Sequence, residues 1–213
     1  MNKWLRNSLK AFWEEQSCKP GLAPVAPDEG YLSTKIINDF LFSTIDFSDK
    51  EVLDLGCGIG RLNPVFFHNG LPKRYVGVDW SPTMLVRASY LNDKYASIID
   101  FVLADITKPL PFSDKSFDKI VLWTVLVHIL DDVIFNRILA QALQISREDV
   151  LVCDPICSDG DIPYITHNYP TKKRRRSDYY HATNGAHEVS SQDLIFGSLS
   201  HPESKRTVFI FKS

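Results

Sequence analysis

The chain predicts an open α/β fold, a parallel sheet covered by helices on both faces. Three observations predict it. From about residue 50 onward, short apolar runs alternate with helical patterns, the first run leads straight into a glycine-rich turn, and the next two each end on a carboxylate. Such alternation is what βαβ crossovers require, and strands buried on both faces read as continuous apolar runs.

The elements follow in order. Residues 2–16 carry Trp4, Leu5, Leu9, Phe12 and Trp13 at helical spacing, which predicts an amphipathic helix. Pro20, Gly21, Pro24, Pro27 and Gly30 then impose a loop, and a second helix is expected over 33–42. Val52–Leu55 is the first strand, and it runs into Gly56-Cys57-Gly58-Ile59-Gly60 and a helix over 59–69. This Gly-x-Gly-x-Gly spacing is one residue tighter than the dinucleotide fingerprint, and its missing Cβ atoms let backbone approach a ligand. Tyr75–Asp79 is the second strand; Asp79 stands where such folds hold a ribose diol, although it could also cap the helix of 82–95 that opens at Ser81-Pro82. Phe101–Ile106 is the third strand, with Asp105 at its end. After Leu110-Pro111-Phe112 and Ser116-Phe117-Asp118, Lys119–Trp123 is the fourth, opening onto Thr124–Ile129. A helix over 131–145 and a fifth strand, Val150–Asp154, complete the alternation. Beyond Pro155, residues 156–189 read as a long polar loop, Ser190–Leu194 as a helix start, and Arg206–Lys212 as a last strand.

Between Glu51 and Pro155 the chain resembles the class I S-adenosylmethionine-dependent methyltransferases. The resemblance rests on four ordered parts: the glycine motif, the acid after strand two, the Ala104-Asp105-Ile106 step, and the Leu-Pro-Phe to Ser-Phe-Asp run before strand four. It implies a Rossmann-like, doubly wound, seven-stranded and mostly parallel sheet whose last strand is antiparallel. It also implies one domain: a helical cap over 1–45, a cofactor-binding core over 46–155, and a variable acceptor-binding segment with terminal strands over 156–213. Carried onto this sequence, the family pattern puts Gly56, Cys57, Gly58 and Gly60 beneath the methionine and ribose of S-adenosylmethionine, with Asp54 organising either the turn or the ammonium. Asp79 takes the ribose hydroxyls, Trp80 and Met84 flank the adenine, and Ala104, Asp105 and Ile106 meet its amino edge. Trp123 and Thr124 lie beside the methionine at the mouth of the acceptor pocket. Trp80 and Trp123 have a competing role as core aromatics, which is where large rings usually go. Asp118, at the opposite end of its strand, is structural. The first helix is either a lid over the cofactor or a permanent packing element.

A sulfonium methyl is already activated, so the implied chemistry is chiefly alignment of an O or N acceptor and exclusion of water. His128, His167 and His181 are the candidate general bases, with His187 beside them, and packing is the preferred role for His128. Tyr164, Tyr169, Tyr179, Tyr180 and the run Lys172-Lys173-Arg174-Arg175-Arg176 are candidate acceptor contacts; the run could grip an anionic metabolite, touch RNA, or be a solvated loop. Strand four lacks the Asn/Asp-Pro-Pro-aromatic run of the amide and exocyclic-amine enzymes, and the partner acid that would let Asp154, Asp159 and Asp161 hold magnesium is missing, so no metal is expected. The expected function is methyl transfer to a small polar or anionic metabolite. The alternatives are a catalytically silent cofactor-binding protein or partner subunit, and an RNA methyltransferase.

Composition sets limits. With 213 residues, 44% of them hydrophobic, the chain can bury one substantial core. A net charge of -2 is not the footprint of a general nucleic-acid binder. No run reaches membrane-spanning length and the N-terminus lacks a signal-peptide layout, so a cytoplasmic location is expected. Cys18, Cys57, Cys153 and Cys157 show no metal-ligand pairing and are expected to be reduced and buried.

Overall fold

The structure, a computed structural model, describes residues 3–18, 40, 44–63, 67–68, 70–158, 164–165, 171–183, 189–196 and 204–213. The expected helix at 33–42, residues 64–66 of the helix at 59–69, and His167, Tyr169, His187, Asp159 and Asp161 lie largely or wholly outside them.

A seven-stranded sheet has the order β3-β2-β1-β4-β5-β10-β9. Its members are β1 (Glu51–Leu55), β2 (Arg74–Asp79), β3 (Ile99–Leu103), β4 (Phe117–Trp123), β5 (Ser146–Asp154), β9 (Val189–Phe196) and β10 (Ser204–Lys212). The first five are parallel, and β10 runs antiparallel to both β5 and β9. Strand order reverses between β1 and β4, which opens a crevice at the carboxyl ends of the strands, the place where open α/β sheets bind ligands.

The continuous apolar runs are explained by helices on both faces. Leu53, Val76, Ile120 and Val152 pack with Phe135, Ile138 and Leu139 of α3 (Asp132–Ile145) on one side. Their neighbours Val52, Tyr75, Val121 and Leu151 pack with Phe40, Phe47, Leu62 and Phe67 on the other. The helices start where the chain supplies caps. The Ser81 hydroxyl accepts from Met84 N–H at 3.2 Å, with Pro82 opening α2 (Pro82–Leu91), and Asp131 accepts from Val133 and Ile134 N–H at 2.9 and 3.1 Å before α3. A helix α1 (Lys3–Ser17) precedes the sheet, as the apolar spacing predicts.

Four expectations are corrected. Strand three ends at Leu103, so Ala104, Asp105 and Ile106 form the turn after it. Ser190–Leu194 belongs to β9 and not to a helix: residues 189–196 pair in register with β10 from Phe196↔Ser204 to Val189↔Phe211, and this long-range ladder outweighs a weak local start signal. The segment after Pro155 is not a featureless loop, because β6 (Ile156–Cys157), β7 (Tyr164–Ile165) and β8 (Lys172–Arg175) form a small second sheet, followed by α4 (Arg176–Ala182). Cys18 is exposed rather than buried, while Cys153 and Cys157 are buried. Asp118 is structural as expected, accepting from Glu51 N–H at 2.8 Å and from Arg147 Nε at 2.6 Å at the far end of the sheet.

Candidate active site

The glycine turn closes the crevice floor. Gly56 and Cys57 donate their N–H groups to Val78 O at 2.7 and 3.1 Å, which ties the turn to β2. Gly56 has φ 80° and a Cβ there would lie 2.4 Å from Val125 Cγ2, so neither conformation nor space admits a side chain. Gly60 has φ 64° and backs onto Asn92 of the next crossover. Asp79, at the end of β2, accepts from Gly58 N–H at 3.0 Å through one oxygen and from Ser81 N–H at 2.9 Å through the other. An ionised carboxylate has about four acceptor positions, so beyond the N–H groups of Gly58, Ser81 and Trp80 it retains acceptor capacity for a diol. The capping and ligand roles of Asp79 are thus compatible.

One pocket gathers Gly56, Cys57, Gly58, Asp79, Trp80, Met84, Asp105, Ile106, Trp123, Thr124 and His128. Residues that the sequence did not single out also line it: Lys10, Trp13, Ser81, Thr107, Val125 and Ile129. Lys10 and Trp13 come from α1. The Lys10 ammonium stands 5.3 Å from the Trp80 ring centre and 3.5 Å from Asp105, Trp13 meets His128 edge to face at 5.0 Å, and Ser17 O accepts from Arg87 of α2 at 2.7 Å. The helix therefore forms one wall of the pocket. An amphipathic stripe could mark those positions as buried but not say against what. Thr124 takes φ 56° as β4 leaves the sheet, a conformation that non-glycine residues adopt only when their surroundings enforce it.

The remaining predicted residues stand elsewhere. Asp54 sits behind the turn, accepting from the Tyr75 hydroxyl at 2.7 Å, and Ala104 donates its N–H to Asp79 O at 3.0 Å. Gly60 likewise supports the turn from behind. Tyr179 is buried, stacked on Phe209 with centroids 4.4 Å apart, and Tyr180 hydrogen-bonds Ser191 at 3.0 Å. Tyr164 lies in β7. The basic run does not reach the pocket. Lys172 and Arg174 pair with Asp132, Arg175 with Asp178 and Arg176 with Asp193, and Lys173 lies in β8 between them. His181 stands with Lys172, Arg174 and Arg175 in a separate cavity between α3 and α4. Acidic partners for these cations lie 3 to 42 residues away in sequence, too scattered for the run to reveal its own neutralisation.

Two acids beneath the crevice are held in unusual states. Burial pushes Asp54 up to about 7 against the opposing Tyr75 hydrogen bond, with the Asp79 charge adding to the rise. Burial also pushes Asp154 up to about 7, opposed by hydrogen bonds from Tyr179 and the Val127 N–H. In both, the folded value lies above the ordinary 3.8, so folding disfavours the charged form: their stability contribution is full below about 4 and is lost as pH rises towards 7. Asp154→Asn is therefore expected to raise the Tm by a few degrees at pH 8 and by much less at pH 5, in paired thermal melts. A gain that is equal at both pH values would remove the burial argument.

These residues fit S-adenosylmethionine. The turn offers a cradle that a Cβ would fill, Asp79 retains acceptor positions for a diol, and Trp123 holds a buried indole N–H with no acceptor among the described residues at the pocket wall. Known proteins point the same way. The family model described as "Methyltransferase domain" matches residues 52–149. An uncharacterized protein of Methanocaldococcus jannaschii is 32% identical over 155 residues, covering 70% of this chain and 65% of its own. A tRNA U34 carboxymethyltransferase of Nautilia profundicola is 30% identical over 117 residues, covering 55% of this chain and 38% of its own. Phosphoethanolamine N-methyltransferase 1 of Haemonchus contortus, solved with phosphoethanolamine and S-adenosylhomocysteine, superposes over 99% of this chain and 50% of its own with TM-score 0.75 and 18% identity, a likeness of fold. The chain thus spans about two thirds or less of the length of these proteins. With the matched motif lining the crevice at the strand carboxyl ends, residues 52–149 carry a methyltransferase domain on the fold that S-adenosylmethionine-dependent class I methyltransferases share.

Proposed function

We propose that this chain transfers the methyl group of S-adenosylmethionine to an O or N atom of a small, polar, uncharged acceptor. The observation that carries this reading is the single pocket in which the Asp79 and glycine-turn floor meets a wall of Trp13, Thr124, Val125, His128 and Ile129. The floor suits the cofactor. The wall is aromatic and aliphatic, with imidazole and hydroxyl groups to orient a polar atom. Lys10, the lysine of the lining, already faces Asp105, and an anion placed there would lose its hydration without gaining a partner. The earlier expectation of an anionic acceptor rested on Lys172–Arg176, whose ion pairs lie outside this pocket. Metabolite acceptors are favoured over RNA for the same reason, since a phosphate backbone is gripped by available Lys and Arg.

The test is transfer of labelled methyl from S-adenosylmethionine into fractionated extract. Label in a small-molecule fraction supports the reading. Label in RNA, with affinity falling steeply as salt is raised, would replace it with the nucleic-acid alternative. Binding of S-adenosylhomocysteine with no product from any fraction would instead establish a silent binding protein.

A further inference from the structure

We infer that Arg174 is a positioning residue: it clamps the turn that follows β4 and so holds His128 and Ile129 in the shape of the acceptor wall. Arg174 is 1% exposed, although it comes from the most highly charged run in the chain. Its guanidinium donates to Leu126 O at 3.2 Å and to Ile129 O at 2.5 Å, and its Nε donates to Asp132 Oδ1 at 3.0 Å. Its plane lies against the Phe135 ring, 4.0 Å from the centroid.

The two carbonyls bracket a short 3-10 turn, Leu126–His128. Leu126 O already accepts from Ile129 N–H at 3.0 Å, so Arg174 adds a second donor at the closing bond of the turn and supplies one to Ile129 O just beyond it, a buried carbonyl that needs a partner. A guanidinium carries donors in a rigid planar fork, so one residue can serve both carbonyls and an acid at once; a lysine ammonium is a point charge and cannot hold that geometry. The position of the turn matters because His128 and Ile129 line the pocket and His128 meets Trp13 of α1 at 5.0 Å. Arg174 thus sets one side of the acceptor wall and, through the imidazole, the seat of α1. It touches none of the groups that form the cofactor floor: Gly56, Gly58, Asp79 and Asp105.

The consequence for methyl transfer rests on the proposed function, whereas the geometric claim does not, and one experiment separates them. Full-length protein labelled at histidine and tryptophan is compared by NMR as wild type, Arg174→Met, Arg174→Lys and Arg147→Met, with S-adenosylhomocysteine titrated into each. Arg147 is a paired arginine at the far end of the sheet, bonded to Asp118 and Glu51, and serves as the control for stability loss alone. In Arg174→Met the His128 ring signals move and the Trp13–His128 cross-peak is lost, while the Kd for S-adenosylhomocysteine stays within about threefold of wild type. Arg174→Lys moves the same signals less, and Arg147→Met lowers Tm without moving them. If Arg174→Met does not fold, Arg174→Lys alone decides. His128 signals unchanged in a folded Arg174 variant would overturn the inference, as would Arg147→Met moving them equally. Absence of S-adenosylhomocysteine binding in the wild type would sink the proposed function and leave the clamp standing or falling on the His128 signals.

Discussion

Replacing Asp79 with alanine raises the Kd for S-adenosylhomocysteine by about 100-fold or more in a calorimetric titration, the largest loss expected of any single substitution in this chain. Two effects combine. A hydrogen bond to a charged group contributes about 1.5–3 kcal/mol, and a ribose diol would make two of them to this carboxylate. About 1.4 kcal/mol corresponds to a factor of ten in affinity. In addition, Asp79 holds Gly58 N–H and Ser81 N–H, so alanine also releases the glycine turn and the start of α2. Asp79→Asn separates the contributions, because an amide keeps the shape and one acceptor oxygen but loses the charge; its loss should be the smaller. Burial holds the Asp79 carboxyl above its ordinary value while the N–H groups of Ser81, Gly58 and Trp80 oppose the shift, so those donors keep the charged form accessible in a buried place. Affinity within about threefold of wild type in Asp79→Ala would mean that the crevice floor does not carry the cofactor.

Gly56→Ala is expected to cost stability and close the site together. A left-handed backbone costs an L-residue roughly 1–2 kcal/mol, and the new methyl, 2.4 Å from Val125 Cγ2, adds an overpacking cost of roughly 1–3 kcal/mol. For a chain of this size each kcal/mol lowers Tm by roughly 2–4 °C, so a fall of about 4–20 °C is predicted. Val125 lines the pocket, so the side chain that yields to the methyl moves into the cofactor's space, and S-adenosylhomocysteine should fail to restore the lost Tm. Adding Val125→Ala removes the clash but leaves φ at 80°, so the double variant should recover only part of the loss. A single variant that melts with wild type and still binds would show that the turn can rearrange at no cost.

Much of the site was legible because its residues obey local rules. The glycines announce left-handed backbone, the acids at the ends of β2 and beyond β3 follow from strand position, and the buried strands show as apolar runs. Of the residues predicted to meet the cofactor, Gly56, Cys57, Gly58, Asp79, Trp80, Met84, Asp105, Ile106, Trp123 and Thr124 lie in one pocket, while Asp54, Gly60 and Ala104 stand outside it. The parts that failed to show depend on contacts distant in sequence. Ser190–Leu194 carries a polar pattern that only the ladder with β10 turns into a strand. Lys10 and Trp13 belong to a helix whose periodicity marks an apolar face without naming what it covers. Lys172–Arg176 looks like a ligand grip when read alone, but Lys172, Arg174, Arg175 and Arg176 become ion-paired once Asp132, Asp178 and Asp193 are brought beside them.

By itself, then, the sequence determined the alternating α/β architecture, the glycine turn after β1 and the acid at the end of β2, because strand burial, glycine conformation and the spacing from strand end to helix start are written in short stretches of chain. Only the tertiary structure decided the wall opposite the glycine turn: which helix lines the pocket, which cations form ion pairs within the chain, and how the turn carrying His128 is held. Those outcomes depend on the distance and burial of groups far apart in sequence, Trp13 against His128 and Leu126 against Arg174 among them, and no local pattern encodes which partner will neutralise a charge or satisfy a carbonyl.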